Sequence, residues 1–73
     1  MIATYVCMAI TCKEGQRLIC AVPDLIKAKA RCGLSIGYLQ EPTDILVIIP
    51  YDEIGNRVGR NSVFFKDENQ WRD

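Results

Sequence analysis

A run of five aliphatic residues, Ile45 to Ile49, constrains the fold of this 73-residue chain more than any other stretch. Four of the five are β-branched, and successive residues of a strand point to opposite sides of a sheet. The run therefore predicts a strand with apolar side chains on both faces. Residues 41–44 and Pro50 end it at the usual strand length of about five or six residues. Such a strand belongs in the middle of a sheet.

Length and charge limit the class of protein. A chain of 73 residues with 49% hydrophobic and 25% charged residues is expected to form a single domain over 1–73 with a small core. Nine basic residues balance nine acidic ones, so the net charge is zero. This balance argues against a protein held to nucleic acid mainly by neutralising phosphates.

The first twenty-two residues have the pattern of a β-hairpin. Ile2 to Cys12 alternates as a strand, residues 13–16 form a polar turn around Gly15, and Arg17 to Val22 returns as the second strand. The apolar start lacks the basic region of a signal peptide and is too short to cross a bilayer. We therefore expect a cytoplasmic protein with no membrane partner.

Residues Pro23 to Cys32 are predicted to form the one helix. Proline suits the first turn, and alanine and lysine are good helix formers. Leu25, Ala28 and Cys32 form a core-facing stripe, and Gly33 ends the helix. Residues 35–40 allow two interpretations. We favour a strand, because two glycines disfavour a helix, and a longer helix is the alternative.

The remaining chain is expected to hold a turn-rich loop over 51–61, a short strand over Ser62 to Lys66 and a polar C-terminal tail over 67–73. Trp71, within that tail, is expected to fold back onto the sheet. The predicted fold class is therefore α+β, with a small, mostly antiparallel sheet of four or five strands. One helix packs on one face of the sheet, in the order ββαβ(β)β.

Four cysteines, at positions 7, 12, 20 and 32, are interpreted mainly as small buried hydrophobic residues with reduced thiols. Their spacing includes no C-x-x-C pair, and the chain has no histidine. A four-cysteine zinc site and a secreted two-disulfide scaffold are the less favoured alternatives.

The chain carries no recognisable catalytic or cofactor motif. The absence of histidine excludes a Ser-His-Asp arrangement and leaves a catalytic cysteine without an imidazole partner. Neither a phosphate-binding loop nor a dinucleotide fingerprint occurs. We therefore expect a protein that is not an enzyme and binds no cofactor or metal.

The layout as a whole resembles a known class of protein. A hairpin, an alanine-rich helix that opens after a strand, further short strands and a tryptophan near the end make the chain similar to small phage-encoded proteins, which include some anti-CRISPR inhibitors. This resemblance implies an α+β fold and an inhibitor that acts in the host cytoplasm. It assigns no residues.

A single helix of about ten residues, roughly 15 Å long, cannot cover both faces of an apolar sheet. Some apolar surface should therefore remain for a partner. We predict a protein-binding module, plausibly a phage or mobile-element inhibitor of a larger host complex. Its candidate anchors are Tyr51, Arg57, Arg60 and Trp71, since tyrosine, tryptophan and arginine are enriched at protein interfaces.

Two alternatives remain open. The first is a nucleic-acid-binding module that uses cations of the helix, Lys27, Lys29 and Arg31, together with Arg57, Arg60 and Lys66. The second is a self-associating structural protein, a homodimer formed through an open strand edge such as Ile2 to Cys12.

Overall fold

The computed structural model describes residues 1–73 as a five-stranded antiparallel sheet with one α-helix packed on one face. The strands follow the spatial order β2-β1-β3-β4-β5, and all neighbouring pairs are antiparallel. The predicted α+β class with one helix in the order ββαβββ is confirmed. The elements are β1 (Thr4–Thr11), β2 (Gly15–Val22), α1 (Leu25–Gly33), a 3-10 helix (Ile36–Tyr38), β3 (Ile45–Tyr51), β4 (Ser62–Phe65) and β5 (Gln70–Arg72).

The aliphatic run forms β3, which lies at the centre of the sheet as predicted. Leu46 and Ile48 are fully buried on the helix side, where they join Cys7, Ala9 and Phe64 in the core. The alternate residues of β3 point to the opposite face, because strand side chains alternate. The run therefore supplies apolar side chains to both faces of the sheet.

The predicted hairpin is present, and Gly15 takes the positive φ of 75° that its turn requires. The register between β1 and β2 shifts at one point, where Cys7 opposes Cys20 but Met8 opposes Leu18. Ile19, the residue left between them, packs against the helix-side core. β1 pairs with β2 on one side and β3 on the other, so the expected free edge at Ile2 to Cys12 is wrong.

The helix begins two residues later than predicted. Asp24 is its N-cap, and the Oδ1 atom of Asp24 accepts the backbone N–H of Ile26 at 2.8 Å. An aspartate suits this capping position because its side chain satisfies an otherwise free N–H. The inward stripe is confirmed, since Ala28 and Cys32 are fully buried and Leu25 packs beside them.

The strand predicted over residues 35–40 is wrong, and so is the longer helix. α1 ends at Gly33, and a single 3-10 turn follows over Ile36–Tyr38. Both sides of β3 are already paired, with β1 and β4, so no position beside the central strand remains for this segment. Instead Leu39, only 3% exposed, anchors the segment to the core.

The C-terminal segment is more ordered than the expected polar tail. Residues 70–72 form β5, which pairs with β4 after a turn in which Asn69 has a φ of 54°. Trp71 lies opposite Phe64, and the two rings meet edge to face with centroids 5.5 Å apart. Trp71 therefore packs on the helix side of the sheet, where the core cluster lies.

A disulfide joins Cys7 of β1 to Cys32 in the last turn of α1, with 6.5 Å between their Cα atoms. Both residues are fully buried, so the expectation of reduced thiols is wrong for this pair. Cys12 is exposed and Cys20 is partly buried, and both are free. The bond fixes the helix to the middle of the sheet. Disulfides are typical of oxidising compartments, so this bond does not support the predicted cytoplasmic localisation, which stays a prediction.

We expect this disulfide to carry a large share of the stability. The two cysteines are separated by 25 positions, and closing a loop of this length removes about 3.5 kcal/mol of unfolded-state entropy. Urea unfolding of the protein with and without reductant should show a loss of this size. The double variant Cys7→Ala/Cys32→Ala should be insensitive to reductant, and Cys12→Ala should behave as the parent protein. A parent protein unaffected by reductant would contradict the assignment.

Candidate functional site

The two faces of the sheet differ in how they are covered. α1 packs across β2, β1 and β3 on one side, and Leu39 and Trp71 extend that core. No helix or strand packs against the other side. We call this uncovered side the open face.

Nine apolar side chains larger than alanine project from the open face, beside the smaller, exposed Ala21 of β2. Cross-strand pairing places them in rows, because directly opposed residues of neighbouring strands share a face. Of the nine, Val47 is buried at 6% exposure, Leu18 is 63% exposed, and the other seven are partly exposed. They are Val6, Met8 and Ile10 of β1, Leu18 of β2, Ile45, Val47 and Ile49 of β3, and Val63 and Phe65 of β4.

The open face has an apolar centre and a polar margin. No charged residue stands among its nine apolar side chains, which is the composition of the central part of a protein interface. The margin is formed by polar and aromatic residues that the strand pairing places on the same face. They are Thr4, Gln16, Tyr51, Arg57, Gln70 and Arg72.

Arg72, at the β5 margin, is held in place by two contacts. Its guanidinium lies over the ring of Phe65, 5.0 Å from the centroid, and its Nε donates to Glu68 at 2.8 Å. A second N–H of the same guanidinium donates to the other oxygen of Glu68. This paired geometry is specific to arginine and carboxylate. The charge of Arg72 is therefore already balanced within the chain.

Arg57 is placed on the open face by the loop that follows β3. The Oδ1 atom of Asp52 accepts the backbone N–H groups of Ile54, Gly55 and Asn56, each at 2.9 Å. These bonds, with that from Asn56 foremost, hold the pKa of Asp52 below its ordinary value against the opposing effect of burial. The loop they close brings Arg57 opposite Tyr51. Arg57 forms no ion pair.

The structure brings together part of the predicted anchor set. Tyr51 and Arg57 are neighbours at one end of the open face, and the exposed Arg60 lies in the same loop. Trp71 lies on the opposite face, where it packs against the core. The centroid of its ring is 5.7 Å from the Nζ of Lys29. Trp71 is separated from the others because it lies in β5 opposite Phe64, on the helix side of the sheet. The sequence pattern did not reveal this strand.

The predicted nucleic-acid contacts are dispersed. Lys29 is bound to Asp73 at 3.0 Å, whereas Lys27 and Arg31 are exposed on another side of the helix. Lys66 donates to the backbone oxygen of Gln40 at 2.6 Å. The arginines of the 52–61 loop lie beyond the end of β3, so the cations form no continuous basic surface along the chain.

A cleft of about 330 Å³, missed by sequence reasoning, lies between the β1–β2 turn and the segment before β3. At its base is Asp44, only 2% exposed. Its Oδ1 accepts the N–H of Cys12 at 3.0 Å, and its Oδ2 accepts those of Gln40 at 2.9 Å and Glu41 at 3.0 Å. The only signal in the sequence was an acid directly before an apolar strand.

The polar groups around this cleft are occupied by one another. The guanidinium carbon of Arg17 lies 4.5 Å from the centroid of the Tyr38 ring, and the Nη1 of Arg17 pairs with the Oε2 of Glu14 at 3.4 Å. The thiol of Cys12 contacts the hydroxyl of Thr43 at 3.3 Å. The N–H of Glu41, with those of Cys12 and Gln40, keeps the pKa of Asp44 below its ordinary value although burial opposes this. Asp44 is thus an ionised group that joins two chain segments.

No group of three or more metal-ligating side chains comes together in the structure. No helix has the length and apolar composition needed to cross a membrane. Neither a protein family, a curated protein nor a solved structure is found to match the chain. The open face, an apolar sheet side that no helix or strand covers, is the main candidate for a functional site.

We expect Asp44 to make stability depend on pH. A lowered pKa means that ionised Asp44 stabilises the fold above its unfolded value of about 3.9, and that this contribution is lost as the pH falls through the lower folded value. The variant Asp44→Asn should melt several degrees below the parent at neutral pH. This difference should shrink below about pH 4. A difference in Tm that stays constant with pH would show that the charge of Asp44 is unimportant.

Proposed function

We propose that this chain is a small, non-enzymatic protein-binding module that docks through its open face. Its partner is a different protein that presents a flat apolar surface with carboxylates along one margin. In this mode the module acts by occupying a surface of a larger complex. This is the kind of inhibition that the resemblance to phage-encoded anti-CRISPR proteins implies.

The observation that carries the proposal is the uncovered set of nine apolar side chains. An antiparallel sheet usually exposes polar residues on its solvent side, so an apolar second face has no role in an isolated domain. Its four strands span roughly 19 Å by 24 Å, or about 450 Å². That is close to a tenth of the 4861 Å² accessible surface, the share that a small protein typically commits to an interface.

This size also limits the affinity. Two such surfaces bury about 900 Å² in total, which places the contact among weak and transient interfaces unless marginal contacts add to it. Tyr51 and Arg57 are positioned to do so, because they lie side by side at one end of the apolar area. We therefore infer a binding site with an apolar centre and an arginine and tyrosine margin.

Charge complementarity favours a different protein over a second copy. The margin of the open face holds Arg57, which forms no ion pair in the chain, whereas Glu68 beside the same margin is already paired with Arg72. A second copy would bring another arginine without a counter-charge. A partner with carboxylates at that margin would satisfy both the apolar centre and the free guanidinium.

A charge placed among the apolar side chains of the open face, on its β2 side, should weaken binding. Leu18→Lys is suited to this test because Leu18 is 63% exposed, so the monomer should fold normally. The control is Ile36→Lys, the same chemistry on Ile36 of the 3-10 helix, which is 37% exposed and lies outside the open face. A partner purified by capture on the parent protein should bind Leu18→Lys at least about tenfold more weakly and Ile36→Lys unchanged in biolayer interferometry.

Equal binding of that partner by Leu18→Lys and the parent would overturn the assignment of the open face. Sedimentation velocity of the protein alone tests the competing occupant. A concentration-dependent dimer that Leu18→Lys dissociates would show that a second copy fills the face. That outcome would refute the proposal of a different partner.

The margin can be tested separately. The triple variant Tyr51→Ala/Arg57→Ala/Arg60→Ala should lower affinity for the captured partner by about tenfold or more, since arginine and tyrosine anchors at an interface often each contribute more than about 1 kcal/mol. Lys13→Ala removes an exposed cation from the β1–β2 turn, at the other end of the sheet from Tyr51, and should leave affinity unchanged. Unchanged binding by the triple variant would mean that these three residues are not anchors.

A further inference from the structure

The helix is apolar on its outer side as well as its inner side. At about 100° per residue, Ile26, Ala30 and Leu34 lie opposite the inward stripe of Leu25, Ala28 and Cys32. Ile26 is 79% exposed and Leu34 is 87% exposed. We call Ile26, Ala30 and Leu34 the outer ridge. It lies on the side of the molecule opposite the open face.

The outer ridge continues into a depression at its C-terminal end. The depression has a volume of about 270 Å³ and is lined by Leu34, Ser35, Gly37 and Tyr38. Tyr38 is 42% exposed there, and its ring is held by Arg17 on its other flank. The depression next to the ridge is a recess into which an apolar side chain of a partner can fit.

The charges beside the ridge are mainly positive, and the one acid on the flank of Lys27 and Arg31 is Asp24, which caps the helix through the N–H of Ile26. Lys27 and Arg31 lie one turn apart along one flank, and both are exposed without an ion pair. Lys29, on the other flank, is bound to Asp73 at 3.0 Å. The helix itself contains no acidic residue. The flank of Lys27 and Arg31 is therefore free to receive carboxylates.

We propose that the outer ridge is a second docking surface, which binds an acidic amphipathic helix of a partner protein. Apolar side chains of that helix pack on Ile26 and Leu34, and its carboxylates pair with Lys27 and Arg31. This surface is independent of the open face. A module with both would bridge two protein surfaces.

The charges disfavour a second copy as the occupant. Each copy would bring two unpaired cations, Lys27 and Arg31, and one acid, Asp24, whereas Lys29 is already paired with Asp73, so two ridges would carry the same net charge and repel. A lipid surface fits poorly, because the ridge has only two large apolar side chains on a nine-residue helix, whereas interfacial helices present a broad apolar face. A nucleic acid would find Ile26 and Leu34 where phosphate contacts are needed.

The test uses labelled synthetic peptides and the full chain. One peptide of about five helical turns carries leucines along one side and glutamates beside them, and its matched peptide has lysine in place of glutamate. Fluorescence anisotropy should show binding of the acidic peptide and at least about tenfold weaker binding of the basic one. Lys27→Glu/Arg31→Glu should weaken acidic-peptide binding by a similar factor and strengthen basic-peptide binding.

Two further variants separate this surface from the open face. Ile26→Asp should abolish binding of the acidic peptide, and Leu18→Lys should leave it unchanged. Circular dichroism checks that each variant is folded. The proposal is overturned if the acidic peptide does not bind, if charge reversal has no effect, if Leu18→Lys removes binding, or if vesicles of phosphatidylcholine and phosphatidylserine bind the outer ridge in its place.

Discussion

The double-sided apolar character of β3 determines how this chain can be stable. Its aliphatic residues need cover on both faces of the sheet, but the chain supplies only one helix of nine residues. The helix side is closed by the core cluster around Leu46 and Ile48, whereas Val47 and its neighbours have no layer above them. Domains are built from packed layers, so this molecule is one layer short of a symmetric sandwich. The missing layer is the physical basis of the proposed docking.

Because the core is so small, a disulfide and hydrogen bonds to two carboxylates add constraints to it. The disulfide fixes α1 to β1, and the carboxylate of Asp44 fixes the β1–β2 turn to the segment entering β3. Asp52 closes the loop after β3 in the same way. These three constraints hold both ends of the central strand and the helix above it. They keep the marginal residues of the open face in place without a second layer.

Sequence reasoning found the features that depend on local pattern. The period-two alternation of β1, the run of β3 and the inward stripe of α1 are each written in consecutive residues. It missed the features that depend on which positions in the sheet are already occupied by other strands. Residues 35–40 form no strand because β1 and β4 occupy both sides of β3, and Trp71 faces the core because β5 adds to β4. The disulfide required Cys7 and Cys32 to meet across 25 positions, which spacing alone does not encode.

The same logic explains why the predicted anchors divide. Tyr51 and Arg57 share a face because a loop closed by Asp52 turns the chain back beside β3, and Trp71 takes the other face through strand alternation. A sequence does give the number of apolar residues, and this number can be compared with the area that the predicted helices can cover. Here that count exceeds the cover on two opposite sides, at the open face and along Ile26 and Leu34. If both proposed surfaces bind, the disulfide-stabilised fold between them lets each be occupied without a change in backbone shape.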